Sequence, residues 1–205
     1  MTLWAIVPVK PIRRGKSRLA KVLSESERAD LNWRLLNHTL KVLCSVREIG
    51  RVLVVSRDPE ALALARDFGA LTLQEEGVPK LNTALKRATL FLHQYTLRSI
   101  LILPVDLPLL SSDDIRQVIA SDPGPPGVVI VPDRHRQGTN VLLVDPPGFL
   151  EYEYGPGSFE RHCECARRVN ARLHVVDLPA LALDIDCPDD LELIQQMNKD
   201  WKEVL

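Results

Sequence analysis

The chain is short of aromatic residues, of net charge and of long apolar runs, and each shortage excludes a class of function. Phe, Trp and Tyr make up 5% of the 205 residues, too few, and not interleaved with basic residues, for stacking on single-stranded nucleic acid. The formal net charge is −1, so whole-molecule attraction to nucleic acid or to an anionic membrane is not expected. No stretch approaches the roughly 18 consecutive apolar residues of a membrane span. The best candidate, 100–110, is broken by Pro104, Asp106 and Pro108. The apolar run 3–9 has no basic residue before it and no small-residue cleavage site after it, unlike a secretory signal. The acid-poor, basic start mimics a transit peptide, but Pro8 and Pro11 would break an amphipathic helix there. Cys44, Cys163, Cys165 and Cys187 form no CxxC pair, and they read as reduced thiols of a cytoplasmic protein.

Familiar catalytic signatures are missing as well. Gly15-Lys16-Ser17 looks like the end of a P-loop, but Lys10 stands where that motif needs its first glycine. There is no GxGxxG, and Ser158 lacks a GxSxG context. His162-Cys163-Glu164-Cys165 suggests zinc, yet residues two apart on a helix do not share a face, and no second ligand pair exists. His38, His93, His135 and His174 read as ordinary core or surface residues.

What is present is an ordinary globule, 45% apolar and 26% charged, of a length suited to one domain over residues 1–205. Apolar runs at 3–7, 52–55, 70–73, 100–103, 128–131, 141–144 and 173–176 read as short buried strands. Between them, 24–47, 58–68, 81–95, 112–120, 158–170 and 188–199 read as helices. Ser24 with Glu27 predicts a capping box, and Pro59 sits at a favoured first helical position. Apolar strands alternating with helices imply an α/β domain with a mostly parallel sheet, flanked by helices on both faces. Ligands of such sheets bind outside the carboxyl ends of the strands, which directs attention to 8–18, 104–108, 132–140 and 184–188.

Charge is unevenly distributed among those loops. No acid occurs before Glu25, whereas Lys10, Arg13, Arg14, Lys16, Arg18 and Lys21 are clustered. After strand 1 this gives a basic, flexible loop able to wrap a polyphosphate. From Asp177 onward acids dominate. Asp106 follows the most apolar strand, and because Ser111 or Ser112 already caps the next helix, Asp106 is left for binding. Asp184-Ile185-Asp186 is a DxD, read as lying at a strand end. Its two carboxylates face the same side of an extended backbone and either cap the following helix or hold a hard cation such as Mg²⁺. Gly138-Thr139-Asn140 and Tyr154-Gly155-Pro156-Gly157-Ser158-Phe159 are small-residue turns. The second places a hydroxyl and free N–H groups at a helix N-terminus, where an anion is welcome.

Together these segments resemble the guanylyltransferases of coenzyme F420 biosynthesis, the 2-phospho-L-lactate guanylyltransferase group. The resemblance rests on Val7-Pro8-Val9-Lys10, Gly15-Lys16-Ser17-Arg18-Leu19, Leu81-Asn82-Thr83-Ala84-Leu85, Pro104-Val105-Asp106-Leu107-Pro108, Pro132-Asp133-Arg134, Gly138-Thr139-Asn140, Gly155-Pro156-Gly157-Ser158-Phe159 and Asp184-Ile185-Asp186. It implies a nucleotidyltransferase fold of the glycosyltransferase-A type and transfer of GMP from GTP to a small phospho-acid. Asp106, Asp184 and Asp186 would then hold Mg²⁺, and Asp106 and Lys16 would be catalytic. Lys10, Lys16 and Arg18 would bind the GTP phosphates, Asn82 the nucleoside, and Thr139, Gly155 and Ser158 the phospho-acid. Lys80 stands where relatives commonly have glycine, and Tyr154 where a phenylalanine is usual. The acceptor is left open among 2-phospho-L-lactate, phosphoenolpyruvate and 3-phospho-D-glycerate. Trp4, Trp33 and Trp201 are the residues on which a homodimer would rest.

Overall fold

A computed structural model describes residues 2–197. Seven strands form one sheet: β1 (Thr2–Val9), β2 (Ile49–Ser56), β3 (Leu71–Gln74), β4 (Leu97–Ile102), β5 (Gly127–Pro132), β6 (Thr139–Asp145) and β7 (Arg172–Val175), in the order β3-β2-β1-β4-β6-β5-β7. β6 runs antiparallel to both β4 and β5, and the remaining pairs are parallel. The sheet is therefore mixed and mostly parallel, as its apolar strands imply.

Alternation along β1 sets the two layers. Leu3, Ala5, Val7 and Val9 face α1 (Glu25–Ser45), α2 (Pro59–Asp67) and α4 (Ser112–Ala120), whereas Trp4 and Ile6 face α3 (Leu81–Leu92) and α5 (Ser158–Arg168). Each fully buried Leu or Ile of these layers contributes about 1.5–3 kcal/mol relative to exposure. The capping box of α1 forms as its spacing predicts: Ser24 Oγ accepts from the Glu27 N–H, and Glu27 Oε2 accepts from the Ser24 N–H. A smaller cluster joins Leu19, Leu31, Leu35, Leu183, Ile185 and Ile194, packing α7 (Pro188–Met197) against α1. Residues 198–199 of the expected last helix lie outside the described residues, as does Trp201. Trp4 is a core residue stacked near Tyr95 at 4.9 Å between ring centroids, so it offers no dimer contact; Trp33 is exposed. No helix among the described residues is long and apolar enough to cross a membrane.

Two expectations need correction. The loop after β1 is not a flexible wrap but two 3-10 turns, Ile12–Arg14 and Ser17–Lys21. Ile12 is buried, and its peptide groups are clamped from both sides: its N–H donates to Asp58 Oδ2 at 2.7 Å, and its carbonyl accepts from Asn32 Nδ2 at 2.7 Å. The DxD likewise does not end a strand. β7 stops at Val175, and a four-residue helix, α6 (Pro179–Ala182), intervenes before Asp184. Tertiary bonding, not the sheet ladder, extends this segment, for the Ile185 N–H donates to the Asp106 carbonyl at 3.0 Å.

Candidate active site

The carboxyl ends of β1 and β4 and the segment after α6 converge on one cluster of charge. One carboxylate oxygen from each of Asp106, Asp184 and Asp186 lies within 4.8 Å of the others. The backbone bond from Ile185 to Asp106 fixes this approach. A second clamp comes from Asp190, whose Oδ2 accepts from the N–H groups of Asp186 and Cys187, each at 2.7 Å. Burial pushes the Asp190 carboxyl up, but those bonds and the Arg134 guanidinium at 2.6 Å hold it below the usual carboxylate range. Asp190 therefore shapes the DxD loop as well as suiting the helix dipole of α7.

Lys16 enters this cluster from the basic side. Its Nζ lies 3.2 Å from Asp106 Oδ2 and 3.4 Å from Asp186 Oδ1, and it also donates to the Ile185 carbonyl. Only 7% of its side chain is exposed. The residue adopts the left-handed conformation, φ 57° and ψ 39°, which costs a non-glycine residue about 1–2 kcal/mol. Ion pairs at one end and the clamped Ile12 turn at the other over-determine that strain. Arg18 reaches Asp186 more loosely, at 3.9 Å and largely in solvent. Lys10 is exposed at the mouth of the same cavity, which occupies about 300 Å³ and is lined by Lys10, Lys16, Asp106 and Asp186 at one end.

The carboxylates respond to one another. Burial raises the Asp184 carboxyl to about 6, helped by Asp106 and Asp186, while Lys16 pulls the other way. Such a cluster calls for positive charge. Its donors are all carboxylate oxygens, a set that suits a hard divalent cation rather than zinc, and the Lys16 ammonium already lies among them.

The two small-residue turns are brought to the same edge. Because β6 is antiparallel to β4, with Ile102 opposite Leu142, the start of β6 lies beside the end of β4 and hence near Asp106. There the Thr139 N–H donates to Ser158 Oγ at 2.9 Å, and Thr139 Oγ1 is 2.9 Å from His162 Nδ1. Gly157 precedes α5 with φ 71°, a left-handed turn that favours glycine. The free N–H groups expected here are not all free. Ser158 N–H bonds the Gly155 carbonyl and Phe159 N–H the Gln137 carbonyl, because the turn closes on itself and on the β5–β6 connection.

Asn82 sits at the start of α3 with both ends of its amide committed. Nδ2 donates to the Tyr154 carbonyl at 3.1 Å, and Oδ1 accepts from the Tyr154 N–H at 2.9 Å. It thus ties α3 to the Gly155 turn, and it is Leu81 and Ala84 of that helix that line the cavity.

Sequence reasoning passed over His162, whose neighbouring cysteines drew attention to metals. It is fully buried, and its Nε2 accepts from the Glu153 N–H at 2.9 Å. Burial, and then Arg161, lower it to about 4, so it is neutral at pH 7. With Nε2 an acceptor, the single ring proton is on Nδ1 and is donated to Thr139 Oγ1. The hydroxyl protons of both Thr139 and Ser158 are therefore left to donate elsewhere.

Residues 3–203 match the protein family described as "Guanylyl transferase CofC like". A phosphoenolpyruvate guanylyltransferase from Rubrobacter xylanophilus is 41% identical over 197 residues, covering 95% of this chain and 94% of that protein. A 2-phospho-L-lactate guanylyltransferase from Methanocaldococcus jannaschii is 32% identical, covering 91% of this chain and 79% of the relative. The fold is also that of a nucleotidyl transferase from Methanothermobacter, with a TM-score of 0.68 and 16% identity over 100% of this chain and 99% of the other. The chain belongs to the CofC-like guanylyltransferase family.

Proposed function

We propose that this protein transfers GMP from GTP to a small phospho-carboxylic acid, releasing pyrophosphate, as a step of coenzyme F420 biosynthesis. The observation that carries this reading is the meeting of three carboxylates with Lys16 at one end of the cavity, in a chain of this family. Phosphoenolpyruvate is the first acceptor to test, because the relative at 41% identity bears its name.

The chemistry needs little beyond positioning and charge. A phosphate monoester has a second pKa near ~6, so the attacking oxygen is already anionic at pH 7. It bonds to the α-phosphorus of GTP while the α–β bridging bond breaks, and pyrophosphate leaves with that electron pair. No proton has to be removed, which agrees with a His162 that is neutral and engaged on both nitrogens. The obstacle is repulsion between two anions. Lys16, with Lys10 and Arg18, would hold the phosphates of GTP and draw off the charge of the leaving group. Asp106, Asp184 and Asp186 would hold Mg²⁺, which when bound supplies the positive charge that lets the two anions approach.

At the acceptor end, Thr139, Gly155 and Ser158 would receive the phospho-acid, with both hydroxyls donating. His162 is then a positioning residue. His162→Gln is expected to raise KM for the phospho-acid about tenfold, the worth of one misdirected hydrogen bond, and to leave KM for GTP unchanged. Steady-state kinetics with each substrate varied in turn checks this; an equal rise in both constants would reduce His162 to a fold-holding role.

The test of the overall reading is pyrophosphate release with Mg²⁺ and each of phosphoenolpyruvate, 2-phospho-L-lactate and 3-phospho-D-glycerate. ATP, CTP and UTP serve as controls. Release with GTP and one acid is expected. GTP binding without release for any acid would make the protein a binding module instead.

A further inference from the structure

The far end of the cavity holds an arrangement that the phosphate chemistry leaves unused. Arg57 and Glu75 immediately follow β2 and β3, whose parallel register pairs Ser56 with Gln74. The two side chains therefore emerge side by side, and both line the cavity that has Asp106 and Lys16 at its other end. The Glu75 N–H donates to the Ser56 carbonyl at 2.9 Å, which fixes their separation. Arg57 uses one terminal nitrogen to bond the Gly77 carbonyl at 2.6 Å. Its Nε is buried and has no hydrogen-bond partner among the described residues. The Glu75 carboxylate, 15% exposed, is 3.8 Å from that Nε, which is an ion pair but too far for a hydrogen bond. A donor and an acceptor thus stand next to each other in a half-enclosed site, both lacking close partners among the described residues.

We propose that Arg57 and Glu75 read the nucleobase and select guanine. The inference rests on the reading of the site as one for GTP. Guanine presents an acceptor, O6, followed by two donors, N1–H and the N2 amine. A carboxylate accepts from both donors at once, and the Arg57 guanidinium meets O6. The other bases fail on the same groups. Adenine and cytosine bring a ring nitrogen acceptor against the carboxylate, and uracil brings O2. A site with buried polar groups rejects such mismatches strongly, because they leave those groups unpaired.

Two analogues isolate the contacts. Inosine lacks the N2 amine, and xanthine has a carbonyl oxygen in its place. The wild-type protein is expected to prefer GTP over ITP by about 10–100-fold in kcat/KM, and XTP is expected to be poorer still. Glu75→Gln supplies an amide N–H where xanthine offers oxygen. It is expected to lower kcat/KM for GTP about 100-fold and to raise that for XTP, which inverts the preference. Arg57→Lys loses the guanidinium that meets O6, a group shared by GTP and ITP. Both substrates are expected to fall together, with their ratio preserved.

Calorimetric affinities for GTP, ITP and XTP, measured on the same three proteins, give a readout that does not require turnover. Unchanged GTP/ITP/XTP ratios in folded Glu75→Gln would overturn the assignment while leaving the guanylyltransferase reading intact. Wild-type protein that neither binds nor turns over any of the three would overturn both.

Discussion

Lys16→Met is expected to lower turnover by about 100- to 1,000-fold, the usual cost of removing one donor aimed at developing charge. Methionine keeps the length and apolar stem of lysine and removes only the ammonium. That ammonium lies between Asp106 and Asp186, and with 7% of the side chain exposed it has little competing water. Its loss has a second consequence. Three carboxylates within 4.8 Å lose an internal cation, so metal-free Lys16→Met is also expected to be destabilised by roughly 1–3 kcal/mol. The figure lies below the usual cost of breaking a buried pair because Asp186 is half exposed. The two effects separate experimentally. Added Mg²⁺ is expected to restore much of the thermal stability, because a cation that binds only the native state stabilises it, but not the turnover. A variant with near-normal turnover in saturating Mg²⁺ would remove Lys16 from the chemistry and leave it a neutralising role. Thermal unfolding with EDTA or Mg²⁺, run beside the pyrophosphate assay, gives both answers.

How much of this was legible in the sequence differs from element to element. The strands were, because a strand buried on both faces must be apolar throughout, as 128–131 and 141–144 are. Their direction was not. Nothing local in β6 marks it as antiparallel, yet that reversal brings Thr139 to the edge where Asp106 lies. The basic loop was located correctly by its charge but read as flexible, since its order depends on Asn32 and Asp58 from distant helices. Asp106, Asp184 and Asp186 were drawn together by chemical type, by their expected place outside strand ends and by the resemblance, but the bond that joins them, through the backbone of Ile185, was not foreseeable. Arg57 and Glu75 left no trace at all. Neither belongs to a motif, and only the register of β2 against β3 makes them neighbours. His162 was passed over because the CxC beside it raised only a zinc reading, which helix geometry set aside, whereas its role follows from burial and from its partners, Thr139 and Glu153, which packing sets.

Asp184→Asn is expected to move activity and stability in opposite directions. Turnover should fall by at least about 100-fold, since a three-carboxylate site would lose one oxygen ligand's charge and with it much of its hold on a cation. The metal-free protein should nevertheless become more stable at neutral pH. Burial and the nearby Asp106 and Asp186 carboxylates raise Asp184 to about 6 from the ordinary aspartate value of 3.8, so ionising it costs more in the folded chain than in the unfolded one. The sign follows from proton binding. Between about pH 4 and 6 the native state holds a proton that the unfolded state has lost, so wild-type stability declines through that window as pH rises. Asparagine carries no charge and escapes the decline. Its advantage is expected to be near zero at pH 4 and to reach roughly 1–3 kcal/mol by pH 7.5, equivalent to a Tm about 2–12 °C higher for a chain of this size. Saturating Mg²⁺ should reverse the order, because it stabilises the wild-type site most. Unfolding scans at pH 4.5 and 7.5, with EDTA and with Mg²⁺, are the check. An Asp184→Asn protein less stable than wild type in EDTA at pH 7.5 would mean that the carboxylate is held by favourable bonds, and that the cluster was not built around a cation from outside.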